Sequence, residues 1–84
     1  MKKVKYHELL NKNVKIICVD EKYEYSLSHI KGSINIPYET LLSNYRSLLN
    51  KNETYYIYCK GGIKSKRMVT ILEYLGYNVV MIEM

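Results

Sequence analysis

Short runs of apolar residues recur along the chain and predict buried β-strands. They occupy residues 14–19, 54–58 and 79–82, and they are rich in the β-branched and aromatic residues that favour strands. A fourth and much shorter strand is expected between Gly32 and Pro37, because glycine permits the turn before it and proline ends strand pairing.

Between these runs, apolar residues return every three or four positions, which is the period of one helical face. This spacing predicts one helix over residues 40–49 and another that begins at Ser65. Shorter helices are predicted at 6–10 and at 21–25, and we expect the side chain of Asp20 to cap the second of these.

The alternation of strands and helices indicates the α/β class. We expect a central, mainly parallel sheet of about five short strands, with helices on both faces. A chain of 84 residues has room for one small core, so residues 1–84 are expected to form a single domain. Binding sites in such folds lie at the carboxyl ends of the strands.

Composition and charge narrow the class of protein. Hydrophobic residues make up 48% and charged residues 25%, as is typical of a folded globular chain. No apolar segment has the length of a membrane span or the form of a signal peptide, so we expect a cytoplasmic protein with no membrane partner. The net charge is +5, but most lysines are scattered among acidic residues, which does not favour a nucleic-acid partner.

The cysteines and histidines do not have the spacing of a metal site. The two cysteines are far apart, and neither has a histidine or a second cysteine at ligand spacing. This pattern does not resemble a secreted disulfide framework either. We therefore expect no metal and no organic cofactor, and a reducing compartment.

Cys59 carries the strongest chemical signal in the chain. It lies between the predicted strand 54–58 and a glycine loop that leads into a predicted helix. Such a loop turns several backbone N–H groups toward one point, which stabilises a thiolate and an anion delivered to it. The pattern predicts that Cys59 is a nucleophile. The predicted anion-binding loop consists of Lys60, Gly61, Gly62, Ile63, Lys64 and Ser65, and the cation Arg67 follows it.

Three segments resemble the motifs of the rhodanese family of sulfurtransferases. Residues 16–25, IICVDEKYEY, resemble L-I-D-V-R-E-x-x-E-Y, and residues 29–37, HIKGSINIP, resemble H-I-x-G-A-x-N-I-P. Residues 58–65, YCKGGIKS, resemble the active-site loop Y-C-x-x-G-x-R-S. The three motifs occur in the family's order and spacing, so the chain is similar to a small, single-domain rhodanese, and a bacterial one is expected.

The resemblance implies that Cys59 accepts a sulfur atom as a persulfide and passes it to a thiophilic acceptor. The donor would be thiosulfate or the persulfide of a small molecule or protein, and the reaction would be covalent catalysis in two half-reactions. Lys60 and Lys64 are expected to attract a small anionic donor, and the hydroxyl of Ser65 is expected to bond to the persulfide.

The chain departs from the family motifs at three places. Cys18 and Asp20 stand where the family usually has an aspartate and an arginine, so we expect the usual acid–base pair beside the site to be missing. Lys64 replaces a common arginine and presents a point charge instead of a bidentate fork. We therefore expect weak binding of thiosulfate. The chain also ends at Met84, soon after the last predicted strand, which is expected to leave one edge or face of the sheet less covered.

Two other classes of function remain open. The first is a non-catalytic interaction module whose basic loop binds an acidic partner. The second is a thiol redox protein in which Cys18 forms a disulfide with Cys59. Otherwise Cys18 is expected to be a small core residue, and His29 a structural residue that is hydrogen-bonded in a turn. The candidate accessory residues are Cys18, Asp20 and Arg67.

Overall fold

A five-stranded sheet forms the centre of the molecule, in the order β1-β5-β4-β2-β3. The computed structural model describes all 84 residues. Every pair of neighbouring strands is parallel, which confirms the predicted fold class. The strands are β1 (Lys3–Lys5), β2 (Lys15–Cys18), β3 (Ile34–Asn35), β4 (Thr54–Tyr58) and β5 (Asn78–Glu83).

Helices cover both faces of the sheet. One face packs against α2 (Tyr38–Leu48) and α3 (Ile63–Tyr74), whose residues Leu41, Met68 and Leu72 are fully buried. The other face packs against α1 (Lys22–Leu27) and a 3₁₀ helix, Tyr6–Leu9, which contributes the buried Leu9. The sheet therefore has a packed core on each side, as parallel sheets require. None of the helices has the length and the apolar composition needed to cross a membrane.

Strand β1 is an element that the apolar pattern did not predict. Lys3 and Lys5 are exposed and only Val4 is partly buried, so the strand contains no apolar run. It pairs in parallel with β5, with Val4 opposite Ile82. The last strand, β5, is therefore not an edge of the sheet, because β1 lies beside it and forms the edge. A short edge strand with two lysines also resists pairing with other chains.

Among the other elements, the strand predicted at 54–58 has the predicted bounds. The remaining predicted boundaries differ from the observed ones by a few residues. The helix predicted from Ser65 begins two residues earlier, at Ile63, and this shift brings the amide of Ser65 into the first turn of α3. The helix predicted at 6–10 is a 3₁₀ helix.

Strands β2 and β4 lie side by side and bring the two cysteines to the same end of the sheet. Cys18 is the register partner of Tyr58. The backbone N–H of Val19 donates to the carbonyl oxygen of Tyr58 at 3.0 Å, which extends this pairing by one residue. Because side chains alternate along a strand, Cys18 and Tyr58 share one face, whereas Cys59 points to the other.

Candidate functional site

Cys59 lies between the end of β4 and the start of α3, and only 2% of its surface is exposed. Its sulfur accepts the backbone N–H of Gly62 at 3.1 Å and that of Ser65 at 3.2 Å. The positive end of the α3 dipole therefore faces the sulfur. Both the hydrogen bonds and the dipole favour negative charge at this atom.

The turn that aims these amides depends on Gly62. Its φ is +83°, in the left-handed region that side chains disfavour. A Cβ atom at this position would make only an ordinary van der Waals contact, 3.9 Å from Cε of Met81, so the constraint is the backbone conformation. Gly61 has no such φ, and a Cβ atom there would meet no other atom within 4 Å. Within the loop, the left-handed backbone conformation is therefore required at Gly62 and not at Gly61.

Three further amides of the loop are free to bind an anion. The N–H groups of Gly61, Ile63 and Lys64 donate to no atom of the protein. Ile63 and Lys64 belong to the first turn of α3, where backbone N–H groups have no partner within the helix. The loop can therefore receive negative charge through amides that are not already bonded to the sulfur.

Ser65 places a hydroxyl next to the sulfur. Its side chain is fully buried, with Oγ 3.4 Å from Sγ of Cys59. The same hydroxyl lies 3.2 Å from the carbonyl oxygen of Gly62, to which it can donate. Since a hydroxyl rotates between partners, it can accept from the thiol or donate to a charged sulfur.

The sequence analysis expects Lys60 and Lys64 to attract an anionic donor. In the structure, both ammonium groups are instead paired with glutamates. Nζ of Lys60 lies 3.6 Å from a carboxylate oxygen of Glu24 and also donates to the backbone carbonyl oxygen of that residue. Nζ of Lys64 lies 3.9 Å from a carboxylate oxygen of Glu21. These contacts join the loop to the start of α1. Arg67, on the exposed side of α3, makes no ion pair and no side-chain hydrogen bond.

Asp20 holds the first residue of the loop by a hydrogen bond, and it does not cap α1. The N-cap of α1 is Glu21, and no side chain bonds to the helix start, so the predicted capping role is wrong. The buried carboxylate of Asp20 accepts the backbone N–H of Lys60 at 2.9 Å. An acid therefore does support this site, although it comes from the position where the family usually has an arginine.

Cys18 contacts the same carboxylate from the opposite face of the sheet. Its thiol donates to Asp20 at 3.6 Å and lies in an apolar cluster with Tyr58. Burial raises the pKa of this thiol above its ordinary value of 9.0, because desolvation disfavours the charged form. The disulfide considered above is opposed by this geometry, since the side chains of Cys18 and Cys59 point to opposite faces.

His29 has a structural contact with α1 and lines a surface pocket together with Lys60. Its Nδ1 donates to the carbonyl oxygen of Tyr25 at 2.8 Å, and its ring stacks on the ring of Tyr25. The residues near the site that the sequence did not single out are Glu21 and Glu24. Their three-residue spacing on α1 suits contacts to one partner segment, but only the fold shows that this segment is the loop.

Comparison with curated proteins finds two relatives that share part of their length with this chain. The tRNA uridine(34) hydroxylase of Buchnera aphidicola is 30% identical over 77 residues, which are 86% of this chain and 25% of that protein. The thiosulfate sulfurtransferase PspE of Escherichia coli is 33% identical over 58 residues, which are 68% of this chain and 56% of that protein. The chain thus spans between a quarter and just over half of the length of these curated relatives.

Solved structures share the whole fold. A rhodanese-like domain protein from Staphylococcus aureus superposes with a TM-score of 0.85 at 36% identity, over 99% of this chain and 85% of the other. A rhodanese-related protein from Thermoplasma volcanium gives 0.89 at 28% identity, over 99% and 84%. The family description "Rhodanese-like domain" matches residues 3–84. With the parallel sheet and the order of its motifs, this match shows that the chain belongs to the rhodanese-like domain family.

Proposed function

We propose that this protein is a sulfurtransferase that carries sulfur as a persulfide on Cys59. The observation that carries the proposal is the position of the Cys59 sulfur, which accepts two amide N–H groups at the start of α3. Membership of the rhodanese-like family supports sulfur transfer at the family level. A relative that shares 33% identity over part of its length is named as a thiosulfate sulfurtransferase.

In the first half-reaction, the thiolate of Cys59 attacks the outer sulfur of a donor. The sulfur–sulfur bond of the donor breaks, and its electron pair leaves with sulfite when the donor is thiosulfate, or with a thiolate when the donor is a persulfide. Cys59 then carries one additional sulfur atom. In the second half-reaction, a thiophilic acceptor attacks that terminal sulfur and regenerates the Cys59 thiolate.

The loop supplies hydrogen bonds for the charge that the added sulfur brings. The free amides of Gly61, Ile63 and Lys64 can donate to the terminal sulfur, while those of Gly62 and Ser65 stay on the inner one. The Ser65 hydroxyl turns from the Gly62 carbonyl oxygen to the charged sulfur. These donors stabilise the persulfide anion without any change in the backbone.

The proposed partners and location follow from this chemistry. Nucleophilic displacement at sulfur uses only the residues described, so the reaction needs no metal and no organic cofactor. The partners are an anionic sulfur donor and an acceptor, either of which can be a protein. Both cysteines are unpaired, which suits the reducing cytoplasm of a bacterium.

The test is the mass of the intact protein after incubation with a sulfur donor. Reduced wild-type protein is incubated with thiosulfate or, separately, with a small persulfide, and it is then treated with cyanide. We expect an increase of one sulfur atom that cyanide removes, and no increase for Cys59→Ser. The matched variant Cys18→Ser should load like the wild type. If neither donor gives a Cys59-dependent adduct, the sulfurtransferase proposal is overturned and the interaction module is favoured.

A further inference from the structure

Every charged side chain that bonds to the loop from outside it is acidic. Glu24 and Glu21 pair with Lys60 and Lys64, and Asp20 accepts the backbone amide of Lys60. Each ammonium group is thus paired with one glutamate, and Asp20 adds a third carboxylate that bonds to the loop backbone. The pairing of Lys60 and Lys64 leaves the amides and the helix dipole as the main attraction for an anion within the loop, while Lys66 and Arg67, farther along α3, make no ion pair.

The contacts of Lys60 show how the cation is held away from a donor. Its ammonium has two acceptors on the same residue of α1, the carboxylate and the backbone carbonyl oxygen of Glu24. Only about a third of this side chain is exposed. To bind an incoming anion, Lys60 would have to leave both acceptors, or the anion would have to approach the carboxylate of Glu24.

This arrangement affects the two classes of donor differently. Thiosulfate carries two negative charges and must approach a cysteine that is itself negatively charged when it reacts. A persulfide carries at most one charge on its reacting group, so it is repelled less. Because Coulomb repulsion scales with the product of the charges, carboxylates beside the loop slow the dianion more than the persulfide.

We propose that Glu21 and Glu24 determine the donor specificity of the site, and that the donor is a persulfide of low charge and not thiosulfate. This inference rests on the proposed function. In the favoured step, the Cys59 thiolate bonds to the outer sulfur of the donor R–S–SH, and the donor's sulfur–sulfur bond breaks. The products are Cys59–S–SH and the thiolate R–S⁻, so charge, protons and sulfur atoms balance and no oxidant is needed.

The experiment compares the rates at which two donors load Cys59. The donors are thiosulfate and the persulfide of 2-mercaptoethanol, which has no charged group other than the persulfide. The test variant is Glu21→Gln with Glu24→Gln. The matched control is Glu53→Gln with Glu73→Gln, which removes the same charge from two ion-paired glutamates outside the loop, before β4 and in the last turn of α3.

We expect the wild type to load faster from the persulfide than from thiosulfate. The test variant should load from thiosulfate roughly fivefold faster than the wild type, as expected for removing two partly screened charges beside the loop. Its gain should shrink as salt is added. Loading from the persulfide should change less than about twofold, and the control variant should match the wild type with both donors.

Two results would overturn the inference, and they are distinguishable from each other. If the wild type loads Cys59 from thiosulfate as fast as from the persulfide, and the test variant shows no gain, donor specificity lies elsewhere while the sulfurtransferase proposal stands. If neither donor loads Cys59 in any variant, the sulfurtransferase proposal fails and this inference fails with it.

Discussion

Cys59 and Cys18 lie near the carboxyl ends of adjacent strands and have opposite surroundings. The sulfur of Cys59 accepts two amide N–H groups, whereas the thiol of Cys18 donates to the carboxylate of Asp20. Both residues are buried to a similar degree. Burial alone therefore does not assign a role to a cysteine, because one buried sulfur accepts two backbone hydrogen bonds and the other donates one to a carboxylate.

The difference between the cysteines arises from the pleat of the sheet. The register partner of Cys18 is Tyr58, so the next residue on β4, Cys59, points to the other face. Cys59 lies on the face with the start of α3, and Cys18 lies on the face with an apolar cluster. Asp20 bonds to the surroundings of both cysteines. Its carboxylate accepts the thiol of Cys18 and the backbone amide of Lys60, the first residue of the loop beside Cys59.

The largest expected effect concerns a disulfide between the two cysteines. In the folded protein, diamide should leave Cys18 and Cys59 without a mutual disulfide, because their side chains point to opposite faces. In urea the same reagent should form that disulfide readily. Peptide mapping by mass spectrometry measures both states. A Cys18–Cys59 disulfide formed under native conditions would contradict the opposite orientation of the two side chains and revive the redox hypothesis.

The next largest effect is expected for Gly62→Ala. A φ of +83° is strained for alanine, so we expect a loss of about 1 kcal/mol in the free energy of unfolding. Displacement of the amides that face Cys59 should slow sulfur loading by about 30-fold or more. Denaturation and loading rates measure these effects. The control Gly61→Ala has open space and should keep the unfolding free energy of the wild type; equal losses of stability in both variants would contradict this account.

A smaller effect is expected for Asp20→Ala, which removes the carboxylate that accepts both the Cys18 thiol and the Lys60 amide. The Lys60 amide and the Cys18 thiol lose their partner, which should cost about 2 kcal/mol in the free energy of unfolding. Sulfur loading should slow by about tenfold, because the start of the loop is no longer held. Asp20→Asn keeps an acceptor oxygen and should recover much of both losses. Normal loading by Asp20→Ala would remove this residue from the site.

The smallest effect concerns the dependence of stability on pH. Burial raises the pKa of the Cys18 thiol and of the Tyr58 hydroxyl above their ordinary values of 9.0 and 10.0. Both groups therefore lose protons more easily in the unfolded chain, and the free energy of unfolding should fall as the pH rises above about 9. Urea denaturation between pH 7 and 10.5 measures this decline.

Two variants test whether the Cys18 thiol contributes to this dependence of stability on pH. Cys18→Ala should lessen the decline at alkaline pH relative to its own stability at pH 7, because one buried titrating group is gone. Tyr74→Phe removes a tyrosine that is 90% exposed and should leave the profile unchanged. If Cys18→Ala and the wild type decline in parallel, the thiol has the same pKa in the folded and unfolded states.

Some parts of the fold were readable from the sequence, and others were not. The strand at 54–58 and the alternation of helix and strand were predicted correctly, because buried parallel strands form continuous apolar runs. Strand β1 was missed, because a three-residue edge strand with two lysines has no such run. Asp20 was assigned to a helix cap, because capping is a local rule and its real partner, Lys60, is 40 residues away.

The sequence by itself determined the fold class, the family motifs and the position of Cys59 before a glycine loop and a helix, because each depends on neighbours along the chain. Only the tertiary structure decided which face each cysteine points to, and that Glu21 and Glu24 pair with the lysines of the loop. The physical reason is that these features depend on strand register and on contacts between distant segments, which no local pattern of residues encodes.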